Sequence, residues 1–91
     1  MPSTQVMVSK TIEEVSGQDV PGYDAVLNTI GYNDALCIVL AEKLDVMVKM
    51  FRPGTHIEAS QITPDLTVQN VVDITIQQIG TTGIAPGGVA D

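Results

Sequence analysis

The polar loop between residues 53 and 63 contains the side-chain types that a hydrolytic site needs. His56 is the only histidine, and Glu58 and Ser60 follow it within four residues. A nucleophile, a base and an acid that orients the base are the members of a catalytic triad. Residues so close together in one loop rarely adopt that geometry, and no G-x-S-x-G turn exposes the serine. We therefore predict a polar surface loop, no catalytic residue and a protein that is not an enzyme.

The residue types that could bind a metal or a phosphate do not cluster in the sequence. Cys37, the only cysteine, lies in an apolar stretch, where a small buried side chain is its expected role. It is far from His56 in the sequence, and Asp19 with Asp24 would hold a cation only weakly. The glycines beyond residue 79 are followed by no lysine, so they do not form a phosphate-binding loop. We predict no metal site and no cofactor.

Two helices are predicted in the first half of the chain. Val8, Ile12 and Val15 are spaced by four and three residues, which indicates a helix over residues 3–15. Ser3 or Thr4 can cap its start, and Gly17 can end it. A long connection follows over residues 16–32, with a short helical turn near 24–28. Asn33 is then the expected N-cap of the second helix. The predicted core stripe of that helix consists of Leu36, Leu40, Leu44, Met47 and Phe51.

The second helix has an unusual start and a clear end. Residues 35–41 are apolar all round, which is typical of a central helix or of one that another subunit covers. Residues 52–54, Arg-Pro-Gly, end the helix.

A third helix is predicted from Thr63, as N-cap, to Ile79. Pro64 and Asp65 suit its first turn, and Gly80 suits its C-terminal cap. Its predicted core face consists of Val68, Val71, Val72, Ile76 and Ile79. The fold class is therefore all-α, a small three- or four-helix bundle over residues 1–80 with a flexible Gly-rich tail over 81–91. The alternative is an α+β fold with a strand near 71–79, because β-branched residues are dense there.

Charge and length restrict the classes of partner. The chain has eleven acidic and four basic residues, so its net charge is −7. This negative charge opposes binding to nucleic acid and to anionic membranes. The longest apolar run, residues 35–41, falls far short of the roughly 20 residues that span a bilayer. We expect a cytoplasmic protein whose partner has a basic surface, or one that associates with itself.

Several segments resemble parts of one known family. Residues 20–31 form a loop leading to Ile-Gly-Tyr-Asn-Asp-Ala-Leu at 30–36, followed by Leu-Ala-Glu-Lys-Leu-Asp-Val at 40–46 and Leu-Thr-Val-Gln-Asn-Val-Val-Asp at 66–73. This order is similar to that of the acyl carrier proteins, small acidic four-helix bundles. In that family a serine that opens the second helix carries phosphopantetheine. Asp34 stands at or next to the serine position, and a carboxylate cannot accept that arm. The resemblance therefore implies a carrier-like protein without its arm, which docks through the acidic second helix.

Two functional classes remain open. The first is a non-catalytic, acidic protein–protein interaction module, and its candidate docking residues are Asn33, Asp34, Glu42 and Asp45. The second is a structural subunit of a homo-oligomeric filament, shell or particle, which the apolar start of the second helix favours.

Overall fold

The computed structural model describes residues 3–79. This part of the chain contains three α-helices and two short 3-10 helices, joined by loops. The helices are α1 (Thr4–Ser16), α2 (Asp34–Phe51) and α3 (Val68–Ile79), and the 3-10 helices are Leu27–Ile30 and Ala59–Gln61. No strand is present between residues 3 and 79, so the prediction of a small all-α bundle is confirmed. The alternative of a strand near 71–79 is wrong. The predicted tail, 81–91, lies outside the described residues.

The first helix has the ends that its sequence predicts. The Ser3 hydroxyl accepts a hydrogen bond from the backbone amide of Val6 at 3.2 Å. Gly17 ends the helix at φ 73°, a left-handed conformation that glycine adopts at little cost. Val8 and Ile12 are fully buried, as the spacing predicts.

The core face of α2 is rotated from the predicted stripe. Its buried residues are Cys37, Leu40, Ala41, Leu44 and Val48. Phe51, predicted to be in the core, is 48% exposed. Because nearly every side of this helix carries apolar residues, several overlapping stripes fit a helical period, and only contact with α1 and α3 selects one.

The third helix begins later than the sequence predicts, at Val68 and not after Thr63. Thr67 and Asn70 cap each other: the Asn70 amide donates to the Thr67 hydroxyl at 3.1 Å, and the Thr67 amide donates to the Asn70 side chain at 3.0 Å. This reciprocal arrangement satisfies donors that the first helical turn leaves without partners.

Residues 64–67 are held beside the long connection and do not enter the helix. The Leu27 amide donates to the Leu66 carbonyl at 2.9 Å, and the Val68 amide donates to the Ala25 carbonyl at 2.9 Å. These bonds use backbone groups that a helix starting at Pro64 would need for itself. The helical turn that was predicted near 24–28 lies slightly later, at Leu27–Ile30.

The core is almost entirely aliphatic. Besides residues of the three helices it contains Ile57 and Ile62, from the loop that the sequence suggests is polar and exposed. These two side chains anchor that loop against the bundle. Between residues 3 and 79 no helix is long and apolar enough to cross a membrane.

Candidate functional site

The outward face of α2 carries an exposed, mainly apolar stripe. Its members lie within about 100° of helical arc, on the side opposite the buried residues of α2. We call it the outer stripe, and it consists of Ala35, Val39, Glu42, Lys43, Val46 and Met50. Met50 is 80% exposed and Val46 is 61% exposed. Apolar side chains so exposed, aligned along one helix, are typical of a surface that another molecule covers.

A shallow groove runs along one side of the outer stripe. Thr11 and Glu14 of α1 form its far wall, and Val39, Val46 and Met50 contribute to the near wall. The groove follows the junction of α1 and α2, two helices that pack directly on each other. An elongated partner, such as a helix, matches this shape better than a compact small molecule does.

The two charged members of the outer stripe have opposite signs. Glu42 and Lys43 are both exposed, and neither forms an ion pair with any residue in the described range 3–79. Consecutive residues of a helix point about 100° apart, so the two side chains do not face each other. Both charges therefore remain open to an external partner.

Asp45, one of the four predicted docking residues, is occupied by contacts within the chain. Its carboxylate accepts hydrogen bonds from the Lys49 ammonium at 2.7 Å, the Ile57 amide at 2.9 Å and the ring of His56 at 2.9 Å. Its side chain is only 18% exposed. The hydrogen bond from Lys49, followed by that from Ile57, lowers the pKa of Asp45 to about 2. These contacts fix the loop after α2 to the helix.

The other three predicted docking residues lie at different places on α2. Asn33 accepts a hydrogen bond from the Leu36 amide at 2.8 Å, so its side chain caps the helix. Asp34 follows in the first turn and is exposed, where a negative charge interacts favourably with the helix dipole. Glu42 lies in the outer stripe, slightly more than two turns further along the helix. The structure thus brings none of the four into a common polar cluster, and of the four only Glu42 belongs to the outer stripe.

The loop residues with catalytic potential do not form a triad. The ring of His56 contacts Asp45 and not Ser60, and no hydrogen bond joins His56 to Ser60 in the described part of the chain. Glu58 instead takes part in a capping box with Gln61 at the short 3-10 helix. The Asp45–His56 pair was not predicted, because the turn that brings residues eleven positions apart together leaves no periodic signal.

The cysteine and the scattered acids provide no metal-binding cluster within residues 3–79. Cys37 is 1% exposed, as the sequence suggests. Burial, and then the nearby charges of Asp34 and Asp65, raise the pKa of its thiol. A buried thiol with a raised pKa is a poor nucleophile at neutral pH. Cys37 therefore packs as a small apolar side chain.

Sequence reasoning missed most of the outer stripe. The apolar run 35–41 indicated that part of α2 would be covered by something, but Val46 and Met50 were not assigned to that surface. A signal was present: residues 39, 43, 46 and 50 are spaced by four, three and four, the spacing of a second helical seam.

Comparison with known proteins gives no relative: no protein-family model, no curated protein and no solved structure matches this chain.

Proposed function

We propose that the protein is a non-catalytic protein–protein interaction module that binds its partner through the outer stripe. The observation that carries this proposal is the exposure of Val39, Val46 and Met50 along the outward face of one helix. Burying a fully exposed side chain of this kind contributes about 1.5–3 kcal/mol before the costs of association, and an interface here would gain the share that corresponds to the area still exposed. A chain of 91 residues gains little by exposing this surface unless a partner covers it.

The net charge of the protein affects how a partner approaches more than it affects the strength of the final contact. The net charge of −7 attracts proteins with basic surfaces over a distance of about one Debye length. The outer stripe, however, carries one acid and one base, so its own charge is balanced. Apolar contact therefore supplies the affinity, while the opposite charges of Glu42 and Lys43 select the orientation of the partner.

The proposal includes a carrier-like protein without a phosphopantetheine arm. Its support is the order of elements: a long connection follows α1, and α2 opens at Asp34 directly after its cap, Asn33. Asp34, which is exposed, stands at or next to the serine position in the sequence resemblance to the carrier proteins, and its carboxylate cannot accept the arm. Docking through α2 is the part of carrier function that this chain retains in the proposal.

A structural subunit of a homo-oligomer is the second candidate function. Ile38 is 49% exposed and Val39 is 39% exposed, so the apolar first half of α2 is covered by the bundle on its inner side only. This is the exposure expected of a subunit whose neighbour completes the burial. In both candidates a protein covers the outward face of α2.

Site-specific photo-crosslinking tests the proposed function. A benzophenone amino acid at Val46, in the full chain within an extract of the source cells, should give discrete protein adducts. The same group at Gln77, exposed on α3, serves as the matched control. Adducts at Val46 that are absent at Gln77 support the proposal, whether the captured protein is another polypeptide or a second copy. An absence of adducts at Val46 overturns it.

A further inference from the structure

We infer that the outer stripe pairs with the outer stripe of a second copy of this chain, with the two α2 helices parallel and side by side along a two-fold axis. This inference rests on the proposed function, namely that a protein covers the stripe. It goes further by naming the partner and the relative direction of the two helices.

The outer stripe has an apolar centre line with one charge on each edge. Val39 and Val46 are seven residues apart, so they lie within about 20° of each other around the helix and mark the centre line. Glu42 and Lys43 lie on opposite sides of this line, each about 50° from it. The stripe therefore has an acidic edge and a basic edge.

The direction of the second helix decides which edges meet. A two-fold axis that runs parallel to the helices places the acidic edge of each copy against the basic edge of the other. Glu42 of each copy then faces Lys43 of the other. Because equivalent residues stand at the same height in this arrangement, the two members of each pair differ in height only by the rise of one residue, about 1.5 Å.

An antiparallel two-fold pair gives the opposite result. An axis perpendicular to the helices leaves each edge of the stripe against the same edge of the second copy, so Glu42 faces Glu42 and Lys43 faces Lys43. Like charges opposed across an interface are destabilising, and charges that flank an apolar seam set the orientation of paired helices. Neither residue has an ion pair within residues 3–79. The charges therefore select the parallel pair.

The apolar residues on the centre line also suit a parallel pair. Val39 meets Val39 of the second copy, and Val46 meets Val46 two helical turns further on. β-branched side chains spaced by seven residues are typical of the seam between two parallel helices. The two valines are 39% and 61% exposed, so the pairing removes apolar surface from water.

The groove between α1 and α2 receives one edge of the second helix. Met47, which lies beyond Lys43 on the basic edge, lines the groove, so the groove follows that edge. In the parallel pair the acidic edge of the second copy lies against it. Ile38, one turn before Glu42 on the acidic edge, is 49% exposed. The parallel pairing therefore also covers an apolar side chain that flanks the stripe.

The size and charge of the stripe set the expected strength. From residue 35 to residue 50 the helix is about 22 Å long, which gives an interface at the low end of the range for specific complexes. Glu14 on the far wall of the groove and the net charge of −7 on each copy oppose association. The dimer is therefore weak and dissociates on dilution.

Charge-reversal variants of the full-length chain test which edges meet. Mass is measured by sedimentation equilibrium from low micromolar to millimolar concentration, with circular dichroism to verify folding. Glu42→Lys and Lys43→Glu each place like charges in both pairs, so each should raise the dimer dissociation constant on the order of tenfold or more. The double variant Glu42→Lys/Lys43→Glu restores both pairs with exchanged signs and should dimerise like the original chain.

A matched control separates the pairing of edges from overall charge. Asp19→Lys makes the same charge change as Glu42→Lys at an exposed position outside the stripe, and it should not weaken the dimer. The inference is overturned if the original chain stays monomeric at all these concentrations. It is also overturned if both single variants dimerise unchanged, as an antiparallel pair would, or if the double variant does not recover.

Disulfide trapping tests the parallel direction independently. Val39→Cys and Val46→Cys should each form disulfide-linked dimers on mild oxidation, because each position faces its own equivalent. When the two variants are mixed, the mixed disulfide should be the minor product, because positions 39 and 46 are about 10 Å apart along the helix axis. Gln77→Cys, exposed on α3, is the control and should form few dimers. The native Cys37 is buried and does not compete. Predominant mixed disulfides would overturn the parallel arrangement.

Failure of the inference and failure of the proposed function give different results. A monomeric chain that is photo-crosslinked at Val46 to another polypeptide overturns the self-pairing and leaves the interaction module standing. A chain without photo-adducts at Val46, its own second copy included, overturns the proposed function and the self-pairing together.

Discussion

The carboxylate of Asp45, in the fourth turn of α2, accepts a hydrogen bond from the backbone amide of Ile57 at 2.9 Å. This hydrogen bond closes a loop of eleven intervening residues and places the Ile57 side chain in the core, where it is 2% exposed. The same carboxylate oxygen contacts the ring of His56. One acidic side chain on a helix therefore does what regular secondary structure does elsewhere: it gives a partly buried loop amide a hydrogen-bond acceptor.

Replacing Asp45 with alanine should loosen this loop. The Ile57 amide loses its acceptor and should exchange its hydrogen faster, and the melting temperature should fall. Residue-resolved hydrogen exchange on Asp45→Ala measures the first effect, and thermal unfolding measures the second. The matched control is Asp19→Ala, an exposed acid whose removal should change stability by about 0.5 kcal/mol or less. Unchanged exchange at Ile57 would contradict this role for Asp45.

The same contacts predict how stability depends on pH. The pKa of Asp45 is lowered from its ordinary value of 3.8 to about 2, first by Lys49 and then by the Ile57 amide. Because the unfolded chain takes up this proton first as the pH falls, the contribution of Asp45 is fully present above about pH 4. It is lost progressively between about pH 4 and pH 2.

Acid titration of folding stability in the original chain and in Asp45→Asn isolates this contribution. The original chain should be the more stable of the two above pH 4, and the difference should close as the pH approaches 2. Other carboxylates titrate in both proteins, so their effects cancel in the difference. A gap that stays constant down to pH 2 would show that the charge of Asp45 is not what stabilises the loop.

The parts of the fold that local chemistry determines were predictable, and those that tertiary contacts determine were not. Helix caps are an example of local chemistry. The side chains of Ser3 and Asn33 accept hydrogen bonds from backbone amides three residues later, and Gly17 adopts the left-handed conformation that ends a helix. The start of α3 was predicted too early, because the backbone of residues 64–68 forms hydrogen bonds with residues 25–28. No local sequence pattern reveals this long-range pairing. For the candidate site, the sequence indicated docking through α2. It assigned Asp45 to that surface because an isolated sequence does not show which acids the fold will use internally.

Paired alanine variants test the core face of α2. Leu40 is fully buried, and its replacement by alanine should lower the free energy of unfolding by about 2–5 kcal/mol. Phe51 belongs to the stripe predicted from the sequence but is 48% exposed, so Phe51→Ala should cost about 1 kcal/mol or less. Denaturant unfolding of both variants gives the two values. If both variants lost the same large amount of unfolding free energy, the core face of α2 would be the one predicted from the sequence, which contains Phe51.

The hydroxyl of Tyr32 joins the long connection to α1. It donates a hydrogen bond to the Ile12 carbonyl at 2.8 Å, and the side chain is 3% exposed. Burial, with a smaller effect of Cys37, raises the pKa of this phenol, so it remains a neutral donor at physiological pH. Tyr32→Phe should lower the free energy of unfolding by about 0.5–1.5 kcal/mol. Tyr23→Phe is the control, because the hydroxyl of Tyr23 has no hydrogen bond in the described residues, and it should be nearly neutral.

The reactivity of Cys37 reports how firmly α2 is held in the bundle. The thiol is 1% exposed and burial raises its pKa, so a reagent reaches the thiolate only when the helix opens. Labelling with a chromogenic disulfide at neutral pH should be slower in the native protein than in denaturant on the order of a hundredfold or more. Leu40→Ala, which lowers the free energy of opening, should accelerate native labelling, whereas Phe51→Ala should not. Rapid labelling of the native chain would mean that the inner face of α2 is open to solvent, and then the outer stripe could not be distinguished as the surface left for a partner.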